Sequence, residues 1–240
     1  MKQLRWVVIT ALAACGDGGS ATPDAAVDAR TMCAPKMAPL APGMHQLYLN
    51  FEGQTLLMGM TDDSAANIAQ FLVQPSITVP AYGPNLSATT RQGRIDLIVG
   101  YVQTALAPYS VDVVTTRPAS GQYMMAVIGG LSENFGYQAG IASIAGQSCR
   151  PRHNAIGLEF DIDTFTAVDV ANTVLSDVTV LAGLGLSTRH NDCANRTELY
   201  DQGLICSFDA TSPTATMNNC GYTPTQNELQ LLMDAFGCRD

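Results

Sequence analysis

The stretch ANTVLSDVTVLAGLGLSTRH, residues 171 to 190, places side chains at spacings that chemistry uses. Ser176 and Val180 stand four residues apart, hence one turn apart on one face of a helix, with Asp177 next to the first. Gly183 follows three residues after Val180, and Leu186 three after the glycine. Two ligands at i and i+4, a carboxylate base beside the first and a third ligand past a glycine turn make a helix-borne zinc site. Catalytic zinc needs about three protein ligands and an open position, where bound water falls to a pKa near 7. Serine, valine and leucine offer at most one weak hydroxyl, so the frame is there and every ligand is missing. Asp177 could still accept a proton, but without metal-bound water it is expected to be a helix-surface or hydrogen-bonded residue.

Other chemistry in the chain is sparse. The three histidines, His45, His153 and His190, do not pair at ligand spacing. In RHNDC, His190, Asp192 and Cys193 would suit a thiolate activated by its neighbour or a relocated metal site, since a nearby imidazole lowers a cysteine's pKa. Disulfide use of Cys193 is the expectation for an exported chain. In FDIDTF, Asp161 and Asp163 resemble the nucleophile and acid of aspartyl phosphotransferases. Phe165 stands where that motif needs Thr or Val, and the only lysines, Lys2 and Lys36, lie upstream of the domain. An acidic start to the next helix, favourable to its dipole, accounts for the pair. No GxSxG elbow, phosphate loop or dinucleotide fingerprint occurs, and Gly129, Gly130, Gly136 and Gly140 mark a turn cluster.

The chain has 240 residues, 47% of them hydrophobic, enough for one sizeable domain with accessory segments. Its formal net charge is −9, leaving no basic surface for phosphate backbones, so nucleic acid is excluded as the expected partner. MKQLRWVVITALAAC begins with Lys2 and Arg5, followed by an apolar run from Trp6 to Ala14 that is too short to span a bilayer. Residues 1–14 therefore read as a secretory leader. Leu12-Ala13-Ala14-Cys15 resembles the bacterial lipobox, which implies that Cys15 is acylated and becomes the first mature residue, anchored at a membrane by about 0.8 kcal/mol per buried methylene. Residues 15–44, rich in Gly, Ala, Asp and Pro with no apolar period, read as a lipidated tether.

Of the seven cysteines, six remain once Cys15 carries lipid: Cys33, Cys149, Cys193, Cys206, Cys220 and Cys238. An even number outside the cytoplasm points to three disulfides, with fifteen connectivities left open. Cys33 interrupts the tether and marks where it could be stapled to the domain. No CxxC pair is present, so neither a zinc ribbon nor a thioredoxin-type site is indicated.

The elements that must position these residues follow from periodicity. HQLYLNFEG (45 to 53) alternates as a half-buried strand, residues 63 to 72 read as a short helix, and 75 to 90 as a loop. Ile95, Ile98, Val102, Ala105 and Leu106 share a helical face that Pro108 ends. YSVDVVTT and QYMMAVIGG read as strands around the turn RPASG, a Gly-rich loop spans 129 to 147, and NAIGLEFDI is another strand. Val170, Val174, Val178 and Leu181 form the stripe of a buried helix over 167 to 184. The last helix, 225 to 237, is expected to open on a capping box of Thr225 and Glu228. Residues 45–240 thus form an α/β (α+β) domain: a mixed sheet, a central buried helix and a small disulfide-linked C-terminal part.

The spacing at 176, 177, 180, 183 and 186, with the segments YLNFEGQTL, ALAPYSVDVVTTRPASG and PTQNELQLLMDAFG, resembles bacterial secreted or lipid-anchored zinc peptidases of the metzincin type over most of residues 45 to 237. That resemblance implies ligand positions at Ser176, Val180 and Leu186, the base position at Asp177 and the turn glycine at Gly183, all in degenerate form. In NDCANRTELY, Ala194 holds the position of the family's methionine turn, with Met217 further on. The expectation is an extracytoplasmic lipoprotein of the bacterial envelope whose degenerate, non-catalytic peptidase-like domain is a shape without its reaction centre, needing no cofactor and holding a peptide or protein partner or none. The other readings are an active hydrolase whose metal is held by His190, Asp192, His153 or further groups, and a plain structural surface lipoprotein.

Overall fold

The computed structural model describes residues 45–195, 203–214, 220–221 and 224–239. The expected leader, Cys15, the tether with Cys33, and Met217 lie outside these. Five strands build the main sheet: β1 (Gln46–Asn50), β5 (Asp112–Val114), β6 (Met124–Ile128), β7 (Ser143–Ala145) and β8 (Ile156–Glu159), in the order β5-β1-β6-β8-β7. All neighbours run parallel except β7, which pairs antiparallel with β8 at the end of the sheet. A smaller sheet joins β2 (Gln54–Met58) to β3 (Ile68–Ala69) and β4 (Ser76–Val79). The helices are α1 (Ala88–Leu106), α2 (Ala167–Leu181) and α3 (Glu228–Phe236), and a short pair, β9 (Ser212–Pro213) with β10 (Thr225–Gln226), precedes α3. The α+β class and mixed sheet expected from the sequence are present.

Strand alternation divides the core in two. Leu47 and Leu49 of β1 and Met124, Ala126 and Ile128 of β6 face the helices. Tyr48, Met125, Val127, Ile156 and Leu158 face the small sheet, meeting Leu56, Ile77 and Val79. The half-buried reading of β1 is corrected by this arrangement: β1 is flanked by parallel neighbours and covered on both faces, so Tyr48 and Leu49 are both buried. Two further expectations fail. Residues 63 to 72 hold turns and β3 instead of a helix, because Asp63 exchanges backbone hydrogen bonds with Ile68 and its carboxylate accepts from the Ala65 and Ala66 amides. The expected loop at 75 to 90 contains β4, whose Ile77 and Val79 are buried against the main sheet. The strands expected in YSVDVVTT and QYMMAVIGG are present as β5 and β6, which flank β1 on opposite sides.

Helix α2 is central. Thr166 caps it in a capping box: the Asp169 amide donates to Thr166 Oγ1 at 3.3 Å and the Thr166 amide to Asp169 Oδ2 at 2.7 Å. Every residue of α2 except Asp169 is buried, and each fully buried Val or Leu contributes about 1.5–3 kcal/mol. The helix ends where the Gly183 amide donates to Val180 O and the Leu184 amide to Thr179 O. Gly183 has φ +89°, and a Cβ there would sit 2.9 Å from the Arg150 backbone nitrogen. Gly183→Ala is expected to cost about 1–3 kcal/mol, which at about 2–4 °C per kcal/mol for a chain of this size is visible in a thermal melt. An unchanged Tm would refute this account of the turn.

Candidate functional site

The helix face that carries Ser176, Asp177 and Val180 is closed to solvent. Ser176 is 4% exposed, Asp177 2% and Val180 3%, while Leu186, beyond the Gly183 turn, is partly exposed. Alternation along β8 explains what Asp177 meets. With Ile156 and Leu158 turned to the small sheet, Gly157 and Glu159 face α2. Across the antiparallel pair, Ser143 of β7 lies opposite Glu159, and Ser143 Oγ donates to Asp177 Oδ1 at 2.9 Å. A Cβ on Gly157 would come within 2.8 Å of Asp177 Oδ2 and 3.2 Å of Glu159 Oε1, so the absent side chain makes the slot in which the Asp177 carboxyl sits. Asp177 is therefore a hydrogen-bonded core carboxyl and not a helix-surface residue, and Ser143 and Gly157 are the neighbours that sequence spacing did not reveal.

Beyond Gly183 the chain is held by the C-terminal part. The Gln226 side chain brackets Gly185: the Gly185 amide donates to Gln226 Oε1 at 2.8 Å and Gln226 Nε2 donates to Gly185 O at 2.9 Å. Ala194, at the position where the resemblance places a methionine, is buried and its amide donates to Asp192 Oδ1 at 2.8 Å. Asp192 Oδ2 accepts from Ser187 Oγ at 2.7 Å and from Ser212 Oγ. The expected capping box of α3 is replaced: Asn227 is the N-cap, accepting from the Gln230 amide at 3.0 Å, while Thr225 belongs to β10. Glu228 turns inward instead, where its Oε2 accepts from the Asp209 amide at 3.1 Å and its Oε1 from Gln226 Nε2 at 3.1 Å. Burial first, and the Asp192 carboxyl next to it second, push Glu228 up to about 8.

Disulfides join Cys149 to Cys220 and Cys193 to Cys206, so Cys193 is no thiolate partner for His190, and Cys238 is disulfide-bonded as well. His190 is exposed. His153 instead meets His45 edge to face, ring centroids 5.1 Å apart, and both burial and His153 lower the His45 pKa. Among the described residues no group of three or more His, Cys, Asp or Glu side chains could hold a metal ion. His190, Asp192 and His153 are thus not brought together as a ligand set. Asp161 accepts from the Gly83 amide at 2.8 Å, a tie between loops. A cavity of about 330 Å³ lies between the end of α1 and the segment around Phe208, lined by Tyr101, Tyr109, Ile205 and Leu229 among others, and touches none of positions 176, 177, 180 or 186.

No protein-family model matches this chain, and no curated protein matches it.

The slot over Gly157 makes a coupling prediction. Gly157→Ala is expected to destabilise the chain, and the loss should shrink by about 0.5–3 kcal/mol in an Asp177→Ala background, where the clashing carboxyl is gone. Denaturant unfolding of the two single variants and the double variant measures this, and additive losses would refute the contact.

Proposed function

We propose that this chain is a lipid-anchored extracytoplasmic protein whose domain keeps the shape of a metzincin-type zinc peptidase without its reaction centre and holds a peptide or protein partner. The observation that carries the reading is the interior of α2. At the two positions where a metal-binding helix would present imidazoles stand a buried serine and a buried valine, and the base position is taken up by a hydrogen bond to Ser143. Support comes from the mixed sheet, the fully covered central helix that ends at a left-handed glycine, and the small C-terminal part tied by disulfides. Disulfides form and persist outside the cytoplasm, which suits an exported domain. No helix among the described residues is long and apolar enough to cross a membrane, and attachment is assigned to acylated Cys15.

The partner reading rests on β7. It ends the main sheet, so among the described residues one row of its backbone N–H and C=O groups has no strand beside it within that sheet. An extended peptide adds to such an edge through main-chain hydrogen bonds, and selectivity then comes from side chains at alternate positions.

Two experiments test the reading. Cys15→Ser should abolish incorporation of labelled fatty acid and release the protein from the membrane fraction, and retention of label would refute the anchor. Combining Ser176→His, Asp177→Glu, Val180→His and Leu186→His should create binding of about one zinc per chain. Polar rings at buried positions are costly, so folding of this variant is followed by circular dichroism with and without zinc. A folded variant that binds no zinc would refute the assigned register, as would one that zinc addition cannot help to fold.

A further inference from the structure

The C-terminal part is joined to the exit of α2 by a buried polar cluster. Asp192, Ser212 and Glu228 are each 0% exposed, Ser187 is 1% and Gln226 4%. Ser212 Oγ lies 2.7 Å from Ser187 Oγ and in hydrogen-bond contact with Asp192, to which Ser187 Oγ donates, and Ser212 pairs in register with Gln226, whose amide donates to the Glu228 carboxyl. Two carboxyls in one buried cluster cannot both carry charge cheaply, and a proton on Glu228 relieves that cost. The groups facing Glu228 come from every segment packed on it: Asp192 from the 187–195 segment, the Asp209 backbone before β9, Ser212 from β9, Gln226 from β10 and Tyr109 after α1. None of these is a cation. Arg189, the charge next nearest in the bonding network, pairs with the Asp209 carboxylate at 2.6 Å.

We propose that the buried cluster around Glu228 and Asp192 is a proton-operated latch that fastens α3 and β10 to the segment leaving α2, closed while the Glu228 carboxyl holds a proton and loosened as that proton is lost. The lever arm is Gln226. Its amide nitrogen spans Glu228 Oε1 and Gly185 O, so movement of the Glu228 carboxyl is passed to the backbone one residue before Leu186. The latch therefore links proton activity outside the cell to the shape of the chain beside the Gly183 turn, and it holds whether or not Cys15 is acylated.

The direction follows from linkage. The closed form keeps the Glu228 proton to about pH 8, whereas an ordinary glutamate releases it near 4.5. Between those values the closed form holds one proton more than the opened form, so opening becomes easier as pH rises across the window and levels off above it. Each pH unit inside the window multiplies the opening equilibrium by about ten.

Amide hydrogen exchange on the full oxidised chain between pH 5 and 8 reads this directly. Intrinsic exchange rises about tenfold per pH unit, so amides of residues 185–192 and 226–229 that exchange by unlatching should speed up by about a hundredfold per unit. Amides of β6 should keep the ordinary tenfold. In Glu228→Gln the steep dependence should fall to tenfold, because the proton is no longer exchanged. An equally steep dependence in that variant, or an ordinary tenfold slope in the wild type, would overturn the latch. Should the variant fail to fold, ¹³C NMR of the Glu228 side-chain carboxyl in the wild type decides: a midpoint far above the ordinary 4.5 supports the proposal, and a midpoint near 4.5 overturns it.

Discussion

Helix α2 has no face left for solvent. It lies on the helix side of the main sheet and packs against α1, and this enclosure dictates what each of its positions can carry. A buried polar group needs its own partner, since leaving one unpaired costs about 1–3 kcal/mol. Thr173 and Thr179 meet the requirement locally, each donating to a carbonyl three residues back in the helix. Asn172 meets it across the fold, donating to Leu204 O and accepting from the Cys206 amide. Asp177 meets it through Ser143 across the fold. The helix is built as the middle of the core.

The C-terminal part solves a different problem. Its apolar side chains Leu229, Leu232, Met233 and Phe236 join the main core, and its junction is further held by Cys149–Cys220 and Cys193–Cys206 and by the buried carboxyl and hydroxyl cluster. The first disulfide ties the loop after β7 to residue 220, and the second pins the segment after Asp192 to the strand of chain beneath the end of α1. Cross-links of this kind act mainly on the unfolded chain, whereas the cluster makes the folded junction specific.

What could be read from the sequence was what periodicity encodes. The stripe Val170, Val174, Val178 and Leu181 gave a buried helix, the alternation in QYMMAVIGG a strand, and Gly183 its turn. Short elements stabilised by long-range pairing escaped. β3 and β4 are two and four residues long and hold their place through β2, so nothing local marked them. Glu228 misled because its distance from Thr225 matches a capping box, while tertiary burial gave it another partner. The Asp177 slot was invisible for the same reason: Ser143, Gly157 and Asp177 are far apart in sequence and meet only when β7, β8 and α2 assemble.

The most direct test of the central claim, that α2 keeps the frame of a metal-binding helix with side chains unable to grip a metal, is the zinc content of the wild-type chain. After chelator treatment and equilibrium dialysis against micromolar zinc, the oxidised protein should retain less than about a tenth of an equivalent. Retention of about one tightly held equivalent would contradict the account.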